Sequence, residues 1–307
     1  MFSISPQEAS VARRGFHTWD EGQRLKTEKV GTTFLEGYHS AIEEPHIEQL
    51  VLRLNAVEGE YRGFAFEGAG MGLAILDLLT PWNRGRIDSF LSGSAAAHIY
   101  MVHVGIGWAF ARIPFGMKSS FKRLDPLLRW LAIDGYGFHQ GYFHWPRYVR
   151  ERKRPERFKG YSARAFDQGI GRSLWFVEGA DVNRIAATVS TFDTARHPDL
   201  WSGIGLACAY AGSLDRQRIE TLRDSAGPHK SNLAQGAAFA AKARQRAGNP
   251  ANHTELACQV LCRASADAAA RITDLTLERL PCDEEVPAYE IWRRRIEADL
   301  EKETSVI

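Results

Sequence analysis

The stretch EGAGMGLAIL, Glu67 to Leu76, sets three glycines inside a small-residue, apolar run that otherwise reads as helix. Its texture returns in HVGIGWAFAR (His103 to Arg112), HQGYFHWPRY (His139 to Tyr148), DQGIGRSLWF (Asp167 to Phe176), WSGIGLACAY (Trp201 to Tyr210) and AQGAAFAAKA (Ala234 to Ala243). Glycine costs roughly 1 kcal/mol against alanine in a helix interior. A cost repeated six times implies a gain repeated six times, most simply the close approach of another helix backbone or of a ligand. The first glycines, Gly68, Gly105, Gly141, Gly169, Gly203 and Gly236, follow one another at 37, 36, 28, 34 and 33 residues. That is the length of one helix-turn-helix unit. The expectation is an all-α protein, an αα-repeat solenoid or a closed toroid of about six helix-turn-helix units, with helices starting near these glycines. A standard tetratricopeptide signature is absent. With Gly203 at that motif's small-residue position, Ser202 falls where leucine is expected and Asp199 where tryptophan is expected.

Working outward, residues 1–60 form a polar segment with one helical run at Ile42 to Val57, residues 61–285 the helical-repeat domain, and residues 286–307 a charged capping helix and tail. Turn signals separate the units at Thr80-Pro81-Trp82-Asn83, Ala226-Gly227-Pro228 and Gly248-Asn249-Pro250. Leu214 to Leu222 and Glu255 to Leu277 read as second helices of late units. The most membrane-like stretch, Ala95 to Met117, contains His98, His103, Arg112 and Pro114, and reads as a buried core helix rather than a span. With 44% hydrophobic and 25% charged residues the chain has the balance of a folded, soluble protein. A net charge of +2 is too small to make nucleic acid its main partner. The N-terminus lacks the apolar run of a signal peptide, and four cysteines without CxxC spacing fit a reducing cytoplasm. The run RYVRERKRPERFK, Arg147 to Lys159, carries seven basic and two acidic residues. It reads as a solvated loop or as a docking patch for an anionic partner.

The chemistry-bearing residues gather in DGYGFHQGYFHWPRY. His139 and His144 stand five apart, some 140° around an ideal helix, roughly, which suits one metal poorly. HExxH is absent, so no metal is expected. No GxSxG, completed GxGxxG or Walker lysine follows the glycine runs, and no cofactor is expected. The residue before each first glycine is Glu67, Val104, Gln140, Gln168, Ser202 or Gln235, polar in five of six. If the units share an axis, Glu67, Asp167, Gln168 and Arg172 converge with His103 and His139. Otherwise these side chains cap helix starts. Asp167 and Arg172, five apart on one helix, face each other poorly and are not expected to pair.

Longer phrases carry a resemblance. VGTTFLEGYHSAIEE (Val30 to Glu44), RGFAFEGAGMG (Arg62 to Gly72), DGYGFHQGYFH (Asp134 to His144), DQGIGRSLWFV (Asp167 to Val177) and DLWSGIGLACAYAG (Asp199 to Gly212) resemble the UnbL-like family. These are proteins of unknown function associated with enediyne polyketide gene clusters. The resemblance spans about residues 14 to 280 and implies a setting rather than a mechanism. Such proteins accompany an iterative polyketide synthase and a membrane-embedded accessory protein, and are thought to help turn a linear polyene into the enediyne core. The expected partners are thus an apolar polyene or polyketide-derived molecule, and a synthase carrier domain or membrane-embedded pathway protein. No catalytic residue carries over from the family. From the residues themselves, Glu67, His139 and His144 are the candidate acid–base groups. Trp108, Tyr136 and Trp175 are the candidate walls, with His103, Asp167, Gln168 and Arg172 lining the same cavity. The alternative is a non-catalytic helical adaptor that assembles other pathway proteins.

Overall fold

The repeated glycines lie in the middle of helices rather than near their starts, because it is there that helices cross. In the computed structural model, residues 3–80, 82–113 and 115–304 are described; Pro81 of the first turn signal and Pro114 lie outside them. Every regular element among the described residues is helical. Seven helices form a row: α1 (Glu21–Glu43), α2 (Gly59–Leu79), α3 (Ile99–Arg112), α4 (Arg129–Phe143), α5 (Tyr161–Val177), α6 (His197–Ala211) and α7 (Lys230–Ala247). Each packs mainly on the next. Shorter helices return the chain between them, such as Ile47–Asn55, Val182–Ser190 and Arg216–Ser225. The link from α4 to α5 has no such helix, only a π-helical turn at Pro146–Arg150 in which the basic run begins.

Neighbouring helices of the row run parallel. The ring of Phe66 stacks on His98 at 3.8 Å, and Gly70 crosses Val102. Further along, Ala74 and Leu78 line one hollow with Ile106 and Phe110. The same offset of 32 holds along the pair, which only a parallel alignment allows.

One interface recurs six times. A Cβ built on Gly68, Gly105, Gly135, Gly169, Gly203 or Gly236 would lie 1.9–2.0 Å from a carbonyl oxygen of the preceding helix, that of Phe34, Glu67, Val104, Asp134, Gln168 and Ser202 respectively. In return Gly37, Gly70, Gly107, Gly137, Gly171 and Gly205 face Ala65, Val102, Ala132, Phe166, Leu200 and Leu233 of the following helix. Each Gly-x-Gly thus serves two neighbours, the first glycine one backbone and the second the other. This corrects the repeat as read from sequence. In α4 the equivalent glycine is Gly135, and Gly141 meets the side chain of Ser173 instead of a carbonyl. It also brings α1, from the supposedly separate N-terminal segment, into the row through Gly37.

A helix flanked on both sides and covered on both faces is apolar all round. Every residue is buried from Gly63 to Ile75 in α2, from Leu131 to Tyr142 in α4 and from Ala165 to Val177 in α5. Ten consecutive residues of α3, Met101 to Phe110, are buried as well, as its reading as a core helix required. No helix among the described residues is long and apolar enough to cross a membrane. The row curls back on itself. Tyr210 of α6 packs edge-on against Phe64 of α2 at 5.2 Å, and Arg244 of α7 donates to the Glu60 carbonyl at 3.1 Å. A last helix, α8 (Ala288–Thr304), lays Tyr289, Trp292, Arg293 and Ile296 against the buried side of this curl.

Candidate functional site

Because the seven helices share a register, the residue before each first glycine points to the same buried region. Glu67, Asp134, Gln168, Ser202 and Gln235 all lie there, and none is exposed. Arg172, one turn beyond Gln168 on α5, reaches among them. Its Nη1 donates to Asp134 Oδ1 at 2.6 Å, its Nη2 stands 4.0 Å from Glu67 Oε2, and its guanidinium lies 4.7 Å from the centre of the Phe138 ring. Burial pulls the Arg172 pKa down, but the charges of Asp134 and Glu67 more than offset it, so the guanidinium stays charged. Burial raises the Asp134 carboxyl as well, against the charge and direct bond of Arg172, and that bond makes Asp134 the better placed of the two carboxyls to remain ionised.

Glu67 is the carboxyl that takes the proton. It is 1% exposed, and neither carboxyl oxygen has a hydrogen-bond partner among the described residues. Burial raises its pKa to about 7; Arg172 opposes the rise and Asp134 adds to it. The indole Nε1 of Trp108 favours the anion from nearby without reaching hydrogen-bond geometry. Glu67 also lines a small, mostly apolar cavity of about 40 Å³. Most of the remaining wall is aromatic and aliphatic, with Phe34 from α1, Phe64 and Met71 from α2, Trp108 from α3, and Phe138 and Tyr142 from α4, while Thr27 and Arg112 add polar groups. Ile4, Glu8 and Ala9 lie across it. That cover is held by the Ile4 N–H donating to His39 Nε2 at 3.2 Å and the Val11 N–H donating to Glu28 Oε1 at 3.0 Å.

The structure brings some of the residues expected from sequence together and separates others. Glu67, Gln168 and Arg172 converge as foreseen, and Trp108 is the aromatic hub, with Phe34 at 4.5 Å, Phe138 at 5.1 Å and His139 at 5.4 Å. His139 is buried behind Trp108 and does not line the cavity. Burial, with the charges of Arg112 and His144, holds it well below the usual histidine value, hence neutral. His144 lies just beyond α4 on the surface, with its ring centre 6.2 Å from that of His139. The expectation that Glu67, His139 and His144 border one cavity therefore holds for Glu67 alone. His103 donates from Nδ1 to the Ile99 carbonyl, 2.8 Å away, within its own helix. Tyr136 faces Phe158 at 4.9 Å on another side of α4. Trp175 is among the largest fully buried side chains and is not part of the wall around Glu67.

Asp167 turns away from the cluster, since consecutive helical residues differ by about 100°. It accepts from Arg196 Nη2 at 2.6 Å and from Arg154, a pairing with its own helix's Arg172 being absent as anticipated. Arg154 thus ties the basic run to the core. Sequence reading missed Asp134. The rule that a polar residue precedes the interface glycine would have found it, had Gly135 and not Gly141 been taken as the repeat glycine. It also missed a second buried charge cluster. There Asp199 of α6 accepts from Arg164 at 2.9 Å and from Arg293 of α8 at 2.8 Å, and Arg293 reaches Gln235 at 3.1 Å. Among the described residues no three His, Cys, Asp or Glu side chains gather as metal ligands would.

Parallel helices locked by reciprocal glycines around a buried, partly protonated carboxyl cluster define an all-helical protein whose polar centre is internal. The chain belongs to the DUF1702 family, proteins of unknown function, whose profile matches residues 1–300. No curated protein and no solved structure matches it.

Proposed function

We propose that this protein is a tightly curled solenoid that binds a linear, apolar, unsaturated chain beside Glu67 and exchanges a proton with it there. The observation that carries the reading is Glu67 itself. A carboxyl whose pKa is raised to about 7, with both oxygens free of hydrogen bonds in an aromatic wall, can serve as acid or base at neutral pH. Aromatic walls suit a conjugated chain, whose π-system stacks on or packs edge-on to their rings. Arg172 and Asp134 set the proton affinity of Glu67 rather than touching the chain. The cavity of about 40 Å³ is far smaller than an extended ligand, so binding entails lifting the Ile4–Ala9 cover. Resemblance to the UnbL-like family supplies the substrate class and setting: maturation of an enediyne-type polyene in the cytoplasm, beside a polyketide synthase.

The alternative, an adaptor, draws on the basic run. Arg147, Arg150, Arg152, Arg157 and Lys159 are exposed and form no ion pair among the described residues, which leaves them free for an acidic partner such as a carrier domain. Incubation with a linear conjugated polyene, followed by absorbance and mass spectrometry of the extracted lipid phase, separates the two. Binding and conversion by the native protein, with binding but no conversion by Glu67→Gln, supports the first reading. No binding by either rejects it and leaves the adaptor.

A further inference from the structure

Two loops at one end of the row present aromatic side chains to solvent. Trp82, beyond the end of α2, is 82% exposed, and Phe115, beyond the end of α3, is 63% exposed. Because α2 and α3 are parallel neighbours, their C-terminal ends lie side by side and so do these loops. A Cβ on Gly116 would meet Leu78 of α2 at 3.1 Å, and Arg123 pairs with Asp88 across the loops at 3.3 Å. Residues 80–88 and 115–123 hold Arg84, Arg86, Lys118, Lys122 and Arg123 against the single acid Asp88. Arg86 and Arg123 are engaged by Asp77 and Asp88. Nearby Asp125 is taken up by the N–H groups of Leu127 and Leu128. Arg84, Lys118 and Lys122 remain exposed and without an ion pair among the described residues.

We infer that this end of the protein seats on the surface of an anionic bilayer, with Trp82 and Phe115 in the interfacial layer and Arg84, Lys118 and Lys122 over the lipid headgroups. Two exposed aromatic side chains on adjoining loops that also carry unpaired cations match the interface of a bilayer, where Trp is favoured and basic side chains find anionic lipid. A protein partner would instead be met by a contiguous apolar centre with its charges at the rim. Attachment of this kind is shallow, reversible and weakened by salt. It is independent of the reading of Glu67.

The test is co-sedimentation of the full chain with phosphatidylcholine vesicles, with and without phosphatidylglycerol, at low and high salt. Expected is binding to the anionic vesicles that salt reverses, and a loss of roughly tenfold or more in partition for Trp82→Ala combined with Phe115→Ala. Lys118→Glu with Lys122→Glu abolishes the preference for the anionic vesicles. All four side chains are exposed, so unchanged melting of the variants serves as the folding control. A brominated lipid quenches fluorescence in the native protein, and this quenching is lost in Trp82→Phe, which locates the contact at that residue. Absence of binding to anionic vesicles overturns the inference, as does equal binding by the double alanine variant. Concentration-dependent self-association that the same variant removes would assign the patch to a second copy and overturn it too.

Discussion

The glycine register is tested by Gly135→Ala. A Cβ there would stand 2.0 Å from the Val104 carbonyl oxygen and 2.8 Å from its carbon. Heavy atoms in contact need about 3.5 Å, so α3 and α4 would have to part by up to ~1.5 Å at their crossing. No rotamer change relieves this, because the obstacle is a carbonyl fixed in the backbone ladder of α3. Overpacking costs typically 1–3 kcal/mol, and a backbone-on-backbone clash belongs at the top of that range. Alanine returns roughly 1 kcal/mol of helix propensity. The net loss is about 2 kcal/mol. Equilibrium urea unfolding followed by far-UV circular dichroism should show a midpoint lower by about 0.7 M, for a slope of about 3 kcal/mol/M. Gly59→Ala is the control, because no heavy atom stands within 4 Å of its added Cβ. It should be neutral or stabilising by up to about 1 kcal/mol. A midpoint for Gly135→Ala that is unchanged or raised at constant slope would refute the crossing, and with it the assignment of Gly135 as the repeat glycine.

Three further outcomes follow from the buried cluster and its cover. Glu67 has a folded pKa of about 7 against an ordinary 4.5, so the fold binds its proton more tightly than the unfolded chain does. Its contribution to stability is complete below pH 4.5 and is lost as pH rises through 7. Glu67→Gln should therefore gain on the native protein across that window, by about 3 kcal/mol above pH 7, in urea titrations at stepped pH. Arg172→Leu leaves Asp134 and Glu67 without their cation and should destabilise by about 3–5 kcal/mol. Adding Asp134→Asn should recover part of that loss, and strict additivity of the two losses in the double-mutant cycle would deny the pair. Removing residues 1–16 should raise binding of an apolar fluorescent dye while the helical circular dichroism persists. No change in dye binding would mean that Ile4, Glu8 and Ala9 do not cover the cavity.

Helical class, the recurring unit and the special role of its glycines were legible in the chain, because a glycine inside a helix carries a local cost that has to be offset elsewhere. So was the absence of an Asp167–Arg172 pair, since angular separation along one helix is a property of that helix alone. The convergence of Glu67, Gln168 and Arg172 was legible only on condition that the units share a register. Which glycine of α4 belongs to the repeat was not, because Gly135, Gly137 and Gly141 are equally suited to a helix crossing until the neighbour's carbonyls are in place. From that slip followed the omission of Asp134 and the weight placed on His144, which the end of α4 leaves on the surface. Tertiary packing alone decided that Phe34 of α1 and Phe138 of α4 wall one cavity, and that Arg293 meets Asp199, 94 positions earlier in the chain. Local sequence sets backbone conformation and the faces of each helix. The proton affinity of Glu67 depends on charges from α4 and α5 brought to it by three successive crossings, and burial of that kind has no signature in any one segment.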